Sequence, residues 1–190
     1  VNTGKLIQLA SPPDEKALDA LRTGNRVHIS GVLYTARDAA HKRMREQILN
    51  NQKLPFDPAG QIVFYVGPTP APPGRPFGSA GPTTAGRMDP YTPMLIERGL
   101  KGMIGKGRRS PQVRAAALKY GCVYFGAVEG SAALLSECVR SAETIAYADL
   151  GTEAIQRIIV ENFPAVVLND LYGGDLYEEG RRRFQKFRPE

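Results

Sequence analysis

The residues best suited to chemistry lie in three short segments, each able to receive an anion. The first is Gly81-Pro82-Thr83-Thr84-Ala85-Gly86-Arg87-Met88-Asp89. Its glycines permit backbone conformations and close approaches denied to other residues, so one loop offers two hydroxyls and a guanidinium. The planar fork of an arginine grips both oxygens of a carboxylate; the competing reading is an ordinary turn with a surface arginine. The second is Gly105-Lys106-Gly107-Arg108-Arg109-Ser110-Pro111. Ser110 reads as a helix cap and Pro111 as a first helical position, so Lys106 and free backbone amides would converge where an anion is welcome. This segment is neither a P-loop, which needs Ser or Thr where Gly107 stands, nor a dinucleotide GxGxxG loop, whose third small position holds Ser110. Arg108 and Arg109 read as general positive charge, and a solvated basic turn is the alternative. The third is Thr35-Ala36-Arg37-Asp38-Ala39-Ala40-His41, at a strand-to-helix junction of the kind where α/β folds place ligand groups. Its plainer reading pairs Arg37 with Asp38 and lays His41 on a helix face.

Those segments need elements to hold them. Ser11-Pro12-Pro13-Asp14-Glu15 reads as a helix start, with Ser11 as cap, running to Gly24. Residues 26–35 alternate as a strand, 36–50 carry a helical spacing with Met44 and Ile48 four apart, and Ile62 to Val66 is a second strand. Residues 67–90 hold seven prolines, five glycines and three charges, too long for a structureless connection unless it is a working loop. Beyond it the chain alternates: a helix at 91–98, a strand at 102–104, a helix at 111–120, a strand at 122–125 and a helix at 131–139. Strands then follow near Ile145, at 157–160 and at 165–168. Interleaved strands and helices predict an α/β fold with a mixed, partly parallel sheet, as one domain over residues 1–180 and a basic tail over 181–190.

The bulk properties narrow the chemistry. A 190-residue chain with 42% hydrophobic and 23% charged residues is ordinary for a folded domain. Apolar runs are too short for a membrane span, and no secretory signal is visible. Two cysteines and two histidines, without CxxC or HxxxH spacing, predict neither a disulfide framework nor a metal held by this chain alone. The expected compartment is the cytoplasm, with reduced thiols. The net charge of +6 draws five positive charges from residues 181–188. That run reads as a solvated or partner-facing tail, dispensable for chemistry, rather than as a nucleic-acid site. An anion- or RNA-binding module is the reading from a different class.

The stretch from Gly81 to Asp89 resembles the C-terminal half of class I fumarases. Thr35 to His41, Gly105-Lys106-Gly107, and Leu150-Gly151-Thr152-Glu153-Ala154-Ile155 followed by Glu161-Asn162-Phe163-Pro164-Ala165 are similar to that family in order and spacing. The resemblance runs from about residue 6 to 180. It implies a swivelling β/β/α domain, the β subunit of a two-subunit hydro-lyase that hydrates fumarate reversibly to (S)-malate. It also implies a [4Fe–4S] cluster on a cysteine-bearing α subunit, in an α2β2-type assembly, and a small dicarboxylate as substrate. By the family's motif, Arg37, Arg87 and Lys106 would contact substrate carboxylates, and Thr83 would take part in proton transfer, with Thr84 its rival. Asp38, His41 and Asp89 would support them. L-tartrate dehydratase and mesaconate hydratase β subunits share this architecture; Ala85, Gly86 and Asp89 lean towards fumarase.

Overall fold

Strand and helix propensities assert themselves where the sequence alternates most cleanly. In the computed structural model, which describes residues 6–127 and 131–185, β1 is Ile7–Ser11, β2 Arg26–Thr35, β3 Ile62–Phe64, β4 Gly102–Gly105, β5 Val123–Gly126, β6 Val139–Ala146 and β7 Ile155–Asn169. The α-helices are α1 Glu15–Asp19, α2 Asp38–Leu49, α3 Thr92–Ile96, α4 Pro111–Tyr120, α5 Ala132–Glu137 and α6 Leu176–Phe184. Strands β1 to β5 run parallel in sequence order, and β7 lies antiparallel to β5, β6 and β2. Pairing of β7 with both β5 and β2 closes β2-β3-β4-β5-β7 into a small barrel. The mixed α/β class is as expected.

The alternation of side chains across the strands divides the core in two. Ile62, Phe64, Ile104, Val123, Phe125 and Val167 pack in one cluster. Val63, Tyr65, Met103 and Tyr124 face the other way, against Met44 of α2, Leu95 and Ile96 of α3, and Val113 of α4. The Pro/Gly-rich segment joins the first cluster by burying Phe77 and Ala80. It is pinned by Thr69 donating to Ser79 O (3.2 Å) and Ala80 donating to Ala132 O (3.0 Å).

Several expectations are corrected. Ser11 ends β1, and its hydroxyl donates to Val32 O; the cap of α1 is Asp14, which accepts from Ala17 N at 2.6 Å. The two expected strands around residue 161 are one strand of 15 residues. It passes Pro164 through a bulge at which Asn162 adopts a φ of 53° and its N–H donates to Ser30 Oγ, the kind of irregularity that lets proline sit in a strand. Arg181 to Arg183, assigned to the tail, lie in α6. Lys186 and Arg188 of the tail lie outside the described residues.

Candidate active site

The site is built where β3 and β4 part company. Tyr65 N still donates to Ile104 O at 2.8 Å, but one step on the partner changes. Thr83 N donates to Tyr65 O (2.7 Å), Lys106 N to Thr83 O (3.2 Å) and Ala85 N to Lys106 O (2.8 Å), so the loop wedges between the two strand ends. Gly105 makes this fit possible, because a Cβ there would lie 2.9 Å from Tyr65 Cδ2 and 3.3 Å from Thr83 O. Thr83 is buried and Thr84 exposed. A 3₁₀ turn at Ala85–Met88 follows and brings out Arg87. These are the carboxyl ends of parallel strands, where α/β sheets bind ligands.

The Thr35–His41 segment joins from the end of β2. Asp38 receives Arg37 Nε at 3.2 Å and Arg87 Nε at 2.6 Å. Glu153, from the distal motif, contacts Arg37 Nε at 3.5 Å and accepts from Ala39 N at 3.2 Å, capping α2 where Arg37 supplies no side-chain cap. Partial burial pushes the Asp38 carboxyl up, but its own backbone N–H, the Arg37 hydrogen bond and both arginine charges outweigh that and hold it below the usual carboxylate range. His41 sits one turn along α2, buried, with Nδ1 3.0 Å from Arg37 O and its ring edge-on to Tyr65 at 5.3 Å. Burial lowers its pKa to about 4, so the ring is neutral and Nδ1 donates to Arg37 O.

Lys106 lines a cleft of about 620 Å³ together with Thr84, Gly107, Val166, Leu176 and Tyr177. Thr83, Arg37 and Arg87 do not line that cleft. They are tied to it through the loop backbone and through Asp38. The N-terminus of α4 is not open to an anion: Asp89 already accepts from Ser110 N at 2.7 Å, while Ser110 Oγ accepts from Val113 N at 3.4 Å. Arg109 is not general surface charge either. Its side chain is 1% exposed, lies 3.0 Å from Asp89 Oδ1, donates to Thr92 Oγ1 at 2.8 Å and sits between the rings of Tyr65 and Tyr124 at 5.1 and 5.3 Å. Arg108, beside it, is exposed. Asp89 thus locks the threonine loop to the lysine segment.

Comparison with known proteins follows the same outline. The family model described as Fumarase C-terminus matches residues 2–180. The chain belongs to the fumarase C-terminal family. It is 44% identical to the mitochondrial fumarate hydratase 1 of Leishmania major over 156 residues, covering 81% of this chain and 28% of that protein. It is 41% identical to the anaerobic class I fumarate hydratase of Escherichia coli K12, with the same coverage. The chain therefore spans under a third of those relatives. A Methanocaldococcus jannaschii protein provisionally named as an L(+)-tartrate dehydratase subunit beta is 34% identical over 175 residues, covering 89% of this chain and 90% of that one.

The iron–sulfur cluster that the resemblance to class I fumarases implies needs three or four thiolate ligands. Among the described residues no group of three or more His, Cys, Asp or Glu side chains is placed to hold a metal. Cys122 is fully buried, and burial pushes its thiol up to about 12, away from the thiolate a cluster needs. The donor set does not fit the group. No helix among the described residues is long and apolar enough to cross a membrane. Glu153, Arg109, Tyr124 and Tyr177 escaped the sequence reading. Glu153 lay in a quoted motif without a role, and nothing in the sequence separates Arg109 from Arg108 or points to the tyrosines.

Proposed function

We propose that this chain is the β part of a two-subunit hydro-lyase that adds water reversibly to fumarate to give (S)-malate. The observation that carries this reading is the interlock of the Thr83–Ala85 loop with Lys106 at the parting of β3 and β4, beside the Arg37–Asp38–Arg87 chain of charges, in a member of the fumarase C-terminal family. The β-subunit reading is supported by kinship with the archaeal protein named as a subunit beta, 34% identical over 175 residues. The cluster is assigned to a cysteine-bearing α partner, in an α2β2-type cytoplasmic assembly over which residues 1–180 swivel as one domain. Residues 181–190 contribute no catalytic group in this reading.

Arg37, Arg87 and Lys106 take the carboxylates of the dianionic substrate. Asp38 and Glu153 fix the Arg37 head, so less side-chain freedom is lost on binding. Thr83 acts on the transferred proton. An alcohol is a poor acid and base unless a neighbour tunes it, and an aspartate of the partner is the expected neighbour. The second reading, an L-tartrate dehydratase β subunit, is favoured by the similarity to the archaeal relative, 34% identical over 175 residues; mesaconate differs from fumarate by one methyl, which a site discriminates weakly.

The test begins with copurification of a partner of about 30 kDa, within usual domain sizes, and with turnover of fumarate, mesaconate and L-tartrate by the complex. In that complex Thr83→Ala is expected to lower kcat by about 10²–10⁴-fold, while Arg87→Ala also raises KM. Near-normal kcat for Thr83→Ala with loss in Thr84→Ala would move the proton-transfer role to Thr84. A stoichiometric cluster bound by this chain alone would sink the two-subunit reading.

A further inference from the structure

The residue after Lys106 is held by two tyrosines from distant parts of the chain. Gly107 has a φ of 81°, a conformation side-chain-bearing residues rarely adopt. Its N–H donates to Tyr177 Oη at 3.0 Å, and its carbonyl accepts from Tyr124 Oη at 2.9 Å. On the other side, Lys106 N donates to Thr83 O and Lys106 O accepts from Ala85 N. The peptide joining Lys106 to Gly107 is therefore gripped at both ends, its oxygen by the threonine loop and its N–H by Tyr177.

Tyr177 is well placed for this because the start of α6 is itself anchored. Asp175 caps the helix, accepting from Tyr177 N and Glu178 N at 2.9 and 3.2 Å. Arg114 of α4 reaches Asp175 Oδ2 at 3.2 Å and Glu178 Oε1 at 3.1 Å. Leu176 packs against the core cluster that holds Met44, Tyr124 and Val113. The phenol of Tyr177 lines the same cleft as Lys106 and Thr84. Glycine on either side of Lys106 leaves the backbone few restraints of its own, so an external acceptor is needed to fix its direction.

We propose that Tyr177, with Tyr124 behind it, is a positioning residue for Lys106: its oxygen fixes the Lys106–Gly107 peptide and so aims the lysine into the cleft. The proposal rests on the reading of Lys106 as a carboxylate contact. Loss of a single neutral hydrogen bond that aims a charged group corresponds to a fall in kcat/KM of about 3- to 10-fold.

The test is a double-mutant cycle in the active complex with fumarate. Tyr177→Phe is expected to lower kcat/KM about 3- to 10-fold, chiefly through KM. In a Lys106→Met background the same change should cost less than about twofold, since the aimed group is gone. Tyr172→Phe is the control: Tyr172 is an exposed tyrosine whose hydroxyl donates to Asp19 O at 3.1 Å, and its loss should leave turnover unchanged. Equal losses from Tyr177→Phe in both backgrounds would overturn the proposal. If Lys106→Met alone leaves turnover intact, the functional reading of Lys106 has failed, and amide exchange then decides on the clamp itself. Exchange of the Gly107 amide should quicken about tenfold or more in Tyr177→Phe, and unchanged exchange would refute the clamp.

Discussion

Replacing Arg109 by methionine should unfold this protein far more readily than replacing Arg108, although the two residues are neighbours of one type. The Arg109 side chain is 1% exposed, its ion-pair partner Asp89 is 15% exposed, and the guanidinium lies between two tyrosine rings. Methionine keeps the stem but leaves Asp89 without its cation and removes the Arg109 hydrogen bond to Thr92 Oγ1. Removing one partner of a buried pair costs about 3–5 kcal/mol. Asp89 keeps the Ser110 N–H, which argues for the lower end, about 3 kcal/mol. With a urea dependence of about 2 kcal/mol per molar for a domain of this size, the midpoint should fall by about 1.5 M. Arg108→Met should move it by less than about 0.3 M, as surface changes do. Asp89→Asn should also destabilise, and the double variant Asp89→Asn/Arg109→Met should fall short of the sum by about 1–3 kcal/mol, because the two share one interaction. An Arg109→Met midpoint within about 0.3 M of the parent, or additive losses in the cycle, would refute the argument that this pair bolts the threonine loop to the lysine segment.

Burial holds His41 neutral down to about pH 4, whereas its ordinary value is 6.5. Between those values the unfolded chain binds the extra proton, so stability is full above about pH 6.5 and falls by about 3 kcal/mol towards pH 4. Thermal melts of His41→Gln should lose that slope, and an unchanged slope would show that another group carries it. Deleting residues 181–190 removes Arg181 to Phe184 from α6 and should raise KM several-fold, of the order of the Tyr177→Phe effect, by fraying the helix that carries that tyrosine. Deleting only 186–190 should leave kinetics intact, and equal kinetics for the two truncations would detach α6 from the site.

Much of the fold was legible because local and tertiary preferences agree. β2 alternates over Arg26–Thr35 and α4 opens on Ser110-Pro111 and closes on Gly121, whose φ is 70°, so boundaries can be read from the chemistry of single residues. Agreement fails where partners far along the chain decide. Ile7–Ser11 becomes a strand only because β2 offers it a parallel edge, and five residues carry too little periodicity to announce that. Two strands were expected at 157–160 and 165–168, yet β2 pairs with one strand from Gln156 to Val166, and the bulge at Asn162 absorbs the irregularity.

The site shows the same division. Thr83, Arg87, Lys106 and Arg37 could be picked out as residues that suit an anion, with Asp38 in support, but the contacts between them are not displayed by sequence. Arg37 and Arg87 do not face a substrate as bare cations. Asp38 lies between them and Glu153 lies behind Arg37, so two positive heads are balanced by two carboxylates before any ligand arrives. That balance limits what the arginines can contribute as net charge and shifts their role towards geometry, since a fixed fork loses less freedom on binding. Lys106 differs in kind: it is a flexible point charge flanked by glycines, and the backbone of Lys106 and Gly107 is held by Thr83, Ala85 and Tyr177. Asp89, expected in a supporting role, is spent on Ser110 and Arg109. The helix start that looked open to an anion is therefore already filled by the protein's own carboxylate, which leaves Lys106 and the Arg37–Asp38–Arg87 chain as the groups proposed to take a dianion.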